Sequence, residues 1–171
     1  KPFPYVKQIG LKWDLIGPFS NDGNVQQAFA IEQAAFADTV KVDQTIEGGT
    51  VILKHWFGNI IQSALKDPKA NTTWYARTKI WSEKEGLHPF WIGFDNFSRS
   101  YLTDSPKLKT WDNKGSKVFV NQQEIAPPLW KQAGQIGDRE IPLMDEGYTF
   151  REPTQIFLKK GWNEVLLKLP V

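Results

Sequence analysis

The chain has 171 residues, of which 40% are hydrophobic and 23% charged, and its formal net charge is +2. This length suits one domain with a full core and is short for two, so we expect a single domain over residues 1–171. The low net charge, with Lys and Arg scattered along the chain, argues against a nucleic-acid partner. No apolar run approaches the roughly 18 residues of a membrane span. The absence of cysteine excludes disulfide scaffolds, thiolate zinc sites and cysteine nucleophiles.

Aromatic residues are the most unusual part of the composition, with eight Trp and eleven Phe. Most of them are expected in the core, because large aromatic side chains bury the most area per residue. Eight Trp in one domain leave room for one or two at the surface. Surface tryptophans are a feature of modules that stack on sugar rings.

The first third of the chain predicts an extended arm, a short strand and one ambiguous segment. Pro2 and Pro4 keep residues 1–12 extended as an entry arm. Residues 13–16 alternate as a strand. We expect it to end at Gly17-Pro18, because this dipeptide is typical of turns. Residues 25–37 hold the only candidate helix, with partial helical spacing and a capping Asn24. An irregular segment crossing the sandwich is the alternative, and the sequence leaves both open.

Two strands are predicted in the middle of the chain. Residues 50–56 follow a glycine turn and have strand composition. Residues 74–81 alternate with a period of two, which predicts two distinct faces. One face carries Trp74, Ala76, Thr78 and Ile80, and the other carries Tyr75, Arg77, Lys79 and Trp81.

A further strand is predicted within residues 89–100. Its first half is an unbroken apolar run, which is what a strand covered on both faces needs. Its second half changes abruptly to polar residues. We therefore expect a central strand that delivers hydrogen-bonding side chains to one end of a sheet.

The C-terminal third predicts two hairpins. Residues 116–121 form a strand, residues 122–123 occupy the place of a two-residue turn, and residues 124–125 return. Residues 154–158 and 162–169 form the final hairpin around residues 159–161. In that hairpin the inward residues are Val165, Leu167 and Leu169. The whole pattern of short strands, Gly/Pro turns and at most one short helix predicts an all-β sandwich, most simply a jelly roll.

The sequence offers no catalytic constellation. His55 and His88 are far apart and lack the partners of a zinc site or a serine triad. Asp and Glu are numerous, yet no spacing marks a pair for acid and base roles. We therefore predict no catalytic residue, no metal site and no cofactor. A structural calcium ion held by loop carboxylates and carbonyls stays an open alternative, although no spacing supplies a pattern for it.

The candidate ligand site is a polar cluster at the end of the predicted 89–100 strand. A pyranose ring has an apolar face and a rim of hydroxyls, so a sugar site combines a flat aromatic ring with bidentate polar groups. The alternative is that Arg99 pairs with Asp95 to hold a loop and that the tryptophans are core residues. The candidate residues are Asp95, Asn96, Arg99, Tyr101, Trp111 and Trp130, with Trp81 as a further choice of aromatic ring.

Several segments together resemble a known family. They are residues 13–19 (WDLIGPF), 91–100 (WIGFDNFSRS), 115–121 (GSKVFVN), 125–130 (IAPPLW) and 158–163 (LKKGWN). In this order they resemble the region that follows the catalytic barrel in Bacteroides-type β-N-acetylhexosaminidases of glycoside hydrolase family twenty. The resemblance covers most of the chain and is weakest between residues 25 and 70.

The resemblance implies an accessory β-sandwich of the galactose-binding or jelly-roll kind, carried by a periplasmic, secreted or cell-surface glycan-degrading enzyme. Catalysis in that family uses an Asp-Glu pair on a barrel, and no segment here matches that motif. No catalytic or ligand residue is therefore carried over. The chain begins at Lys1 without an initiator Met, and we interpret it as a fragment of a larger multidomain enzyme.

Two functions are compatible with these expectations. A carbohydrate-binding module would show an exposed Trp or Tyr beside polar groups, and its partner would be a glycan. A structural module would pack on the parent's catalytic barrel or on a second subunit through a flat apolar patch and bind no sugar. An independent enzyme is the least expected hypothesis, since the sequence shows no set of catalytic residues.

Overall fold

The computed structural model describes residues 11–48, 53, 63–65, 67–94, 105–131, 133–135 and 153–171. Within them the chain is nearly all β, which confirms the predicted all-β sandwich. A six-stranded antiparallel sheet has the order β2-β1-β3-β8-β5-β6, and β4 pairs with β7 in a second sheet. The elements are β1 (Lys12–Ser20), α1 (Ile31–Ala34), β2 (Gln44–Glu47), β3 (Thr72–Ser82), β4 (Gly86–Phe90), β5 (Lys117–Val120), β6 (Gln123–Glu124), β7 (Thr154–Leu158) and β8 (Gly161–Pro170). The described part of the chain contains no helix long and apolar enough to cross a membrane.

Strands β3 and β8 form the centre of the larger sheet. Their antiparallel ladder runs without interruption from Thr73 opposite Pro170 to Ser82 opposite Gly161. The predicted strand over residues 74–81 is therefore confirmed, and it extends further at both ends. Alternation along both strands gives the larger sheet an inner face toward the smaller sheet and an outer face away from it.

The inner face forms the main core. Trp74, Val118 and Val165 from the larger sheet pack with Ile156 and Leu158 from β7, and all of them are buried. Leu167 and Leu169 pack against the same cluster, as the alternation of the last strand predicted. Contact of both sheets with one apolar cluster is what makes the fold a sandwich.

The outer face of the larger sheet is covered over part of its length by residues 21–43. Ile31 and Ala35 are buried against Tyr75, Phe119 and Leu166 in a second, smaller apolar cluster. This segment contains only the four-residue helix α1 and otherwise consists of turns and irregular backbone. Of the two alternatives for residues 25–37, the structure therefore favours the irregular segment crossing the sheet.

The first strand does not end at Gly17-Pro18, so that prediction was wrong. Strand β1 continues to Ser20, with an irregularity in its pairing to β3 between Ile16 and Phe19. Gly17 is needed for packing, since a Cβ built there would lie 2.9 Å from Cε3 of Trp74. The glycine thus admits the indole ring of a core tryptophan beside a continuing strand.

The predicted central strand over residues 89–94 was also wrong. Strand β4 ends at Phe90 and pairs only with β7 among the described strands. It alternates between half-buried and exposed residues, and Leu87 is 66% exposed. Ile92 and Phe94 follow outside any strand and pack against the inner core, which explains why this run is apolar. Residues 95–100 and the strand predicted over residues 50–56, apart from Leu53, lie outside the described residues.

The turn between β5 and β6 lies one residue earlier than predicted. Asn121 and Gln122 occupy it with positive φ angles of 49° and 68°. Two successive positive φ angles are typical of the two-residue hairpin turn, for which Asn is a favoured first residue. Glutamine is not, which is why the sequence signal for the turn was weak.

The final hairpin was predicted wrongly, because β7 and β8 belong to different sheets. The β3–β8 ladder ends at Ser82 opposite Gly161, and the β4–β7 ladder begins at Gly86 opposite Leu158. The two strand pairs are thus one antiparallel ribbon that bends from one sheet into the other. We call residues 83–85 and 159–160, where it bends, the corner.

The side chain of Asn163 holds the corner in place. It is fully buried, and its Oδ1 accepts hydrogen bonds from the backbone N–H of Lys159 at 3.0 Å and from Nδ2 of Asn121 at 2.8 Å. Its Nδ2 donates to the carbonyl oxygens of Lys159 and Gly161 at 2.8 and 3.0 Å. One amide therefore satisfies the backbone of the corner and ties it to the β5–β6 turn.

Replacement of Asn163 by Ala should strongly destabilise the protein. The change leaves several buried donors and acceptors without partners, and we expect a loss of about 3 kcal/mol in the free energy of unfolding. Urea denaturation followed by far-UV circular dichroism measures it. Lys160→Ala, at an exposed position of the same corner, is the matched control and should change stability by less than about 0.5 kcal/mol. Equal stability of the two variants would contradict the role given to Asn163.

Candidate functional site

The outer face of the larger sheet carries an exposed pair of tryptophans near the corner. Trp81 of β3 and Trp162 of β8 are directly opposite each other in the ladder, and each is 58% exposed. Their ring centroids are 5.5 Å apart with an interplanar angle of 75°. This edge-to-face geometry is a favourable aromatic contact, and it leaves much of both rings in solvent. We call this pair the aromatic platform.

An ion pair flanks the aromatic platform on the same face of the sheet. Lys79 and Glu164 form the next outward-facing rung, with Nζ of Lys79 3.9 Å from Oε1 of Glu164. The side chains are 53% and 31% exposed. An exposed pair at this distance contributes little to stability. Little stability is therefore lost if either group contacts another polar molecule instead.

A cleft of about 340 Å³ lies beyond this ion pair, between residues 32–37 and strands β5 and β8. Phe36, Phe119 and Leu166 supply its apolar wall. Glu32 and Glu164 contribute carboxylates, and amide groups come from Gln33 and Gln122. Glu164 thus borders both the cleft and the platform.

A buried ionic contact fixes the segment that forms one wall of the cleft. The ammonium group of Lys168, whose side chain is 1% exposed, lies 3.0 Å from Oε1 of Glu32. It also donates a hydrogen bond of 2.5 Å to the carbonyl oxygen of Gln27. The hydroxyl of Tyr75 donates to the same Glu32 oxygen at 2.6 Å. Removal of one partner from such a buried pair is costly, because it leaves an uncompensated charge.

Glu32 lines the cleft and is held through one of its carboxylate oxygens. The contacts from Tyr75 and Lys168 both go to its Oε1. The side chain is 12% exposed and lines the cleft. Tyr75 and Lys168 thus hold Glu32 in place at the wall of the cleft.

Burial raises the pKa of the Tyr75 hydroxyl well above its ordinary value, and the hydrogen bond to Glu32 and its negative charge raise it further. The hydroxyl stays protonated and continues to donate to Glu32 throughout the neutral range. Tyr75 is thus a fixed positioning group for Glu32.

The structure describes two of the six residues that the sequence predicts for the site. Asp95, Asn96, Arg99 and Tyr101 lie outside the described residues, so their part in a site stays a prediction. Trp111 and Trp130 are buried, with exposures of 3% and 5%. Their indole N–H groups donate to the carbonyl oxygens of Ile125 at 3.2 Å and Thr110 at 2.7 Å. These two rings are packed in the interior, and neither presents a surface for stacking.

Of the three candidate tryptophans, all of which lie in the described part of the chain, Trp81 is the one at the surface. Trp162 was missed. The alternation of β8 could have identified it. Val165, Leu167 and Leu169 face inward, so a residue an odd number of positions away, such as Trp162, faces outward. Its position opposite Trp81 follows from the register of two strands far apart in sequence, which local patterns do not contain.

Metal and nucleophile chemistry finds no support in the described part of the chain. No group of three or more His, Asp or Glu side chains converges there. Nε2 of His88 is 3.3 Å from Oγ of Ser82, which resembles part of a catalytic pair. However, the Ser82 hydroxyl donates to the carbonyl oxygen of Lys84 at 2.6 Å and is buried. This contact stabilises the corner.

Comparison of the chain with protein-family models, with curated proteins and with solved structures gives no match. The surface chemistry of the platform and cleft is therefore the basis for a functional proposal.

Replacement of Tyr75 by Phe should change how stability depends on pH. The folded-state pKa of Tyr75 is raised, so the unfolded chain ionises first, above about pH 10, and stability falls as the pH rises further. The variant lacks this loss, although at pH 8 it should be about 1 kcal/mol less stable because the hydrogen bond to Glu32 is gone. Urea denaturation between pH 8 and 11 should show the two stability curves converging. Parallel curves would contradict the assignment.

Proposed function

We propose that this chain is a non-catalytic accessory domain that binds carbohydrate, carried by a secreted or periplasmic glycoside hydrolase of the β-N-acetylhexosaminidase type. The observation that carries the proposal is the exposed Trp81–Trp162 pair beside the Lys79–Glu164 ion pair. Its partner is a glycan, and catalysis belongs to another part of the parent enzyme.

The chemistry of the platform matches that of a sugar ring. An indole face covers the apolar face of a pyranose, and the ammonium of Lys79 and the carboxylate of Glu164 can bond to hydroxyls at its rim. Aromatic rings on paired central strands are also pre-organised, which limits the entropy lost on binding. The Asn163 contacts next to Trp162 add to this rigidity.

The resemblance to the region after the barrel of family-twenty β-N-acetylhexosaminidases supports the remaining parts of the proposal. It suggests the type of parent enzyme and a location outside the cytoplasm. Domain-type analogy is weaker support than the surface chemistry, because one fold carries many functions.

A structural module is the second candidate, and a different surface favours it. Leu87 of β4 and Phe157 of β7 are opposite each other on the smaller sheet and are 66% and 56% exposed. An exposed apolar rung of this kind suits packing on a catalytic barrel or on a second subunit better than it suits a sugar. This function needs no contribution from the platform.

Replacement of Trp162 by Ala should weaken glycan binding at least tenfold, which corresponds to about 1.4 kcal/mol. The whole chain is screened on a glycan array that includes N-acetylglucosamine- and galactose-terminated glycans, and the strongest hits are then titrated calorimetrically. Phe157→Ala is the matched control, since it removes an exposed aromatic ring from the other sheet.

Three outcomes are informative. Loss of binding in the Trp162 variant alone supports the proposal. Binding to glycan that survives Trp162→Ala and Trp81→Ala would remove the platform as its site. Absence of binding across the array would favour the structural module, and the Phe157 variant would then be tested for weakened association with the catalytic domain.

A further inference from the structure

We infer that the cleft between residues 32–37 and strands β5 and β8 is a second sugar subsite, which takes one uncharged sugar residue next to the residue held on the aromatic platform. This inference rests on the proposed function and adds to it the length and the charge of the preferred glycan.

The cleft and the platform are adjacent on one face. Glu164 lines the cleft, and Trp162 precedes it by two residues on β8. Residues two apart in a strand point to the same side and lie about 6.8 Å from each other. A ligand stacked on Trp162 therefore has its neighbouring sugar residue beside Glu164 and the mouth of the cleft.

The size of the cleft matches a small ligand. Its volume of about 340 Å³ is at the lower end of the range of about 300–1,000 Å³ in which ligand pockets fall. This space accommodates one sugar ring with its substituents. We therefore expect the platform and the cleft together to recognise a disaccharide unit.

The polar groups of the cleft suit hydroxyls. The carboxylates of Glu32 and Glu164 are hydrogen-bond acceptors, and the amides of Gln33 and Gln122 both donate and accept. Phe36, which is half-buried, provides apolar surface for the C–H side of a ring. Glu32 is also fixed in position by Tyr75 and Lys168.

The charges around the cleft are balanced, which favours a neutral ligand. Glu32 is compensated by Lys168 at 3.0 Å, and Glu164 faces Lys79 at 3.9 Å. Arg77, whose guanidinium lies 5.6 Å from the Phe36 ring centroid, is compensated by Asp14 at 3.1 Å. A charged group on the ligand, such as an ammonium, carboxylate or sulfate, would find each nearby charge already paired with an opposite charge. It would therefore gain no new ion pair. N-acetylated and unsubstituted sugars fit this cleft better than free amino sugars, uronic acids or sulfated sugars.

The test fills the cleft and leaves the platform intact. Ala34 lines the cleft and is exposed, so Ala34→Trp should occupy its space without disturbing the core. Ala70→Trp is the matched control, because Ala70 is exposed and precedes the far end of β3. Ala37→Trp, at a second exposed lining residue, serves if the first variant does not fold. Circular dichroism checks the fold of each variant.

The probes are N-acetylglucosamine, its β-1,4-linked disaccharide and the disaccharide with both amines free, titrated calorimetrically against the whole chain. We expect the N-acetylated disaccharide to bind at least tenfold more tightly than the monosaccharide. Ala34→Trp should abolish this gain and leave monosaccharide affinity within twofold, whereas Ala70→Trp should retain it. The free-amine disaccharide should bind more weakly than its N-acetylated form.

The outcomes separate the subsite from the proposed function. If Trp162→Ala abolishes binding while Ala34→Trp retains the full disaccharide gain, the platform binds sugar and the subsite is overturned. Tighter binding of the free-amine disaccharide would overturn the neutral character assigned to the cleft. If wild-type protein binds neither these probes nor any glycan on the array, the proposed function fails, and the subsite fails with it.

Discussion

The buried contact between Lys168 and Glu32 determines how the outer face of the larger sheet is organised. Lys168 lies on a central strand with its side chain 1% exposed, where an unpaired ammonium would be strongly unfavourable. Glu32 and the carbonyl oxygen of Gln27 compensate it. Both belong to the segment that crosses the sheet, so the sheet and its cover are stable only together. The contact explains why a segment with one short helical turn holds a defined position.

The candidate site is found where this cover ends. Residues 27–36 shield the part of the outer face around Tyr75 and Leu166. Phe36 is the last ring of the cover, and Lys79 lies 5.4 Å from its centroid. Beyond Lys79 the ladder continues to Trp81 and Trp162, which are exposed. The boundary between the covered and the open sheet thus places apolar rings, carboxylates and an ammonium side by side, and this mixture is the basis of the proposed sugar binding.

Local patterns predicted the parts of the fold in which the two faces of a strand differ. The alternation around Trp74 and Ala76 identified a strand and its two faces correctly, and the alternation around Val165 and Leu167 identified a strand and its inward residues. The same logic failed at residues 89–94, because an apolar run that packs as a loop cannot be distinguished from a doubly covered strand by composition. It also failed at the corner, where a single buried amide, that of Asn163, decides that two neighbouring strands enter different sheets.

The site was harder to predict than the fold, because its residues become neighbours only through the pairing register of β3 and β8. Trp81 was among the aromatic residues considered, and the alternation of β8 could have shown that Trp162 faces outward. Their pairing depends on which strand becomes the neighbour of β3, and the sequence of either strand does not contain that information. Trp111 and Trp130 show a second limit of the sequence analysis, because they were proposed as site residues and are buried. The composition leaves room for one or two tryptophans at the surface, but it does not say which ones, and both of these rings are buried in the interior.

The central position of β8 has a consequence for the order in which the larger sheet can assemble. β8 is the last of the described strands in sequence, yet it lies between β3 and β5. Before residues 161–170 are in place, β3 has β1 as its only neighbour among the described strands, and the β5–β6 hairpin has no described strand to join. A chain in which β8 has not yet paired therefore exposes two unpaired strand edges, which are sites for pairing with other chains. Insertion of β8 covers both edges at once and joins the two parts of the larger sheet.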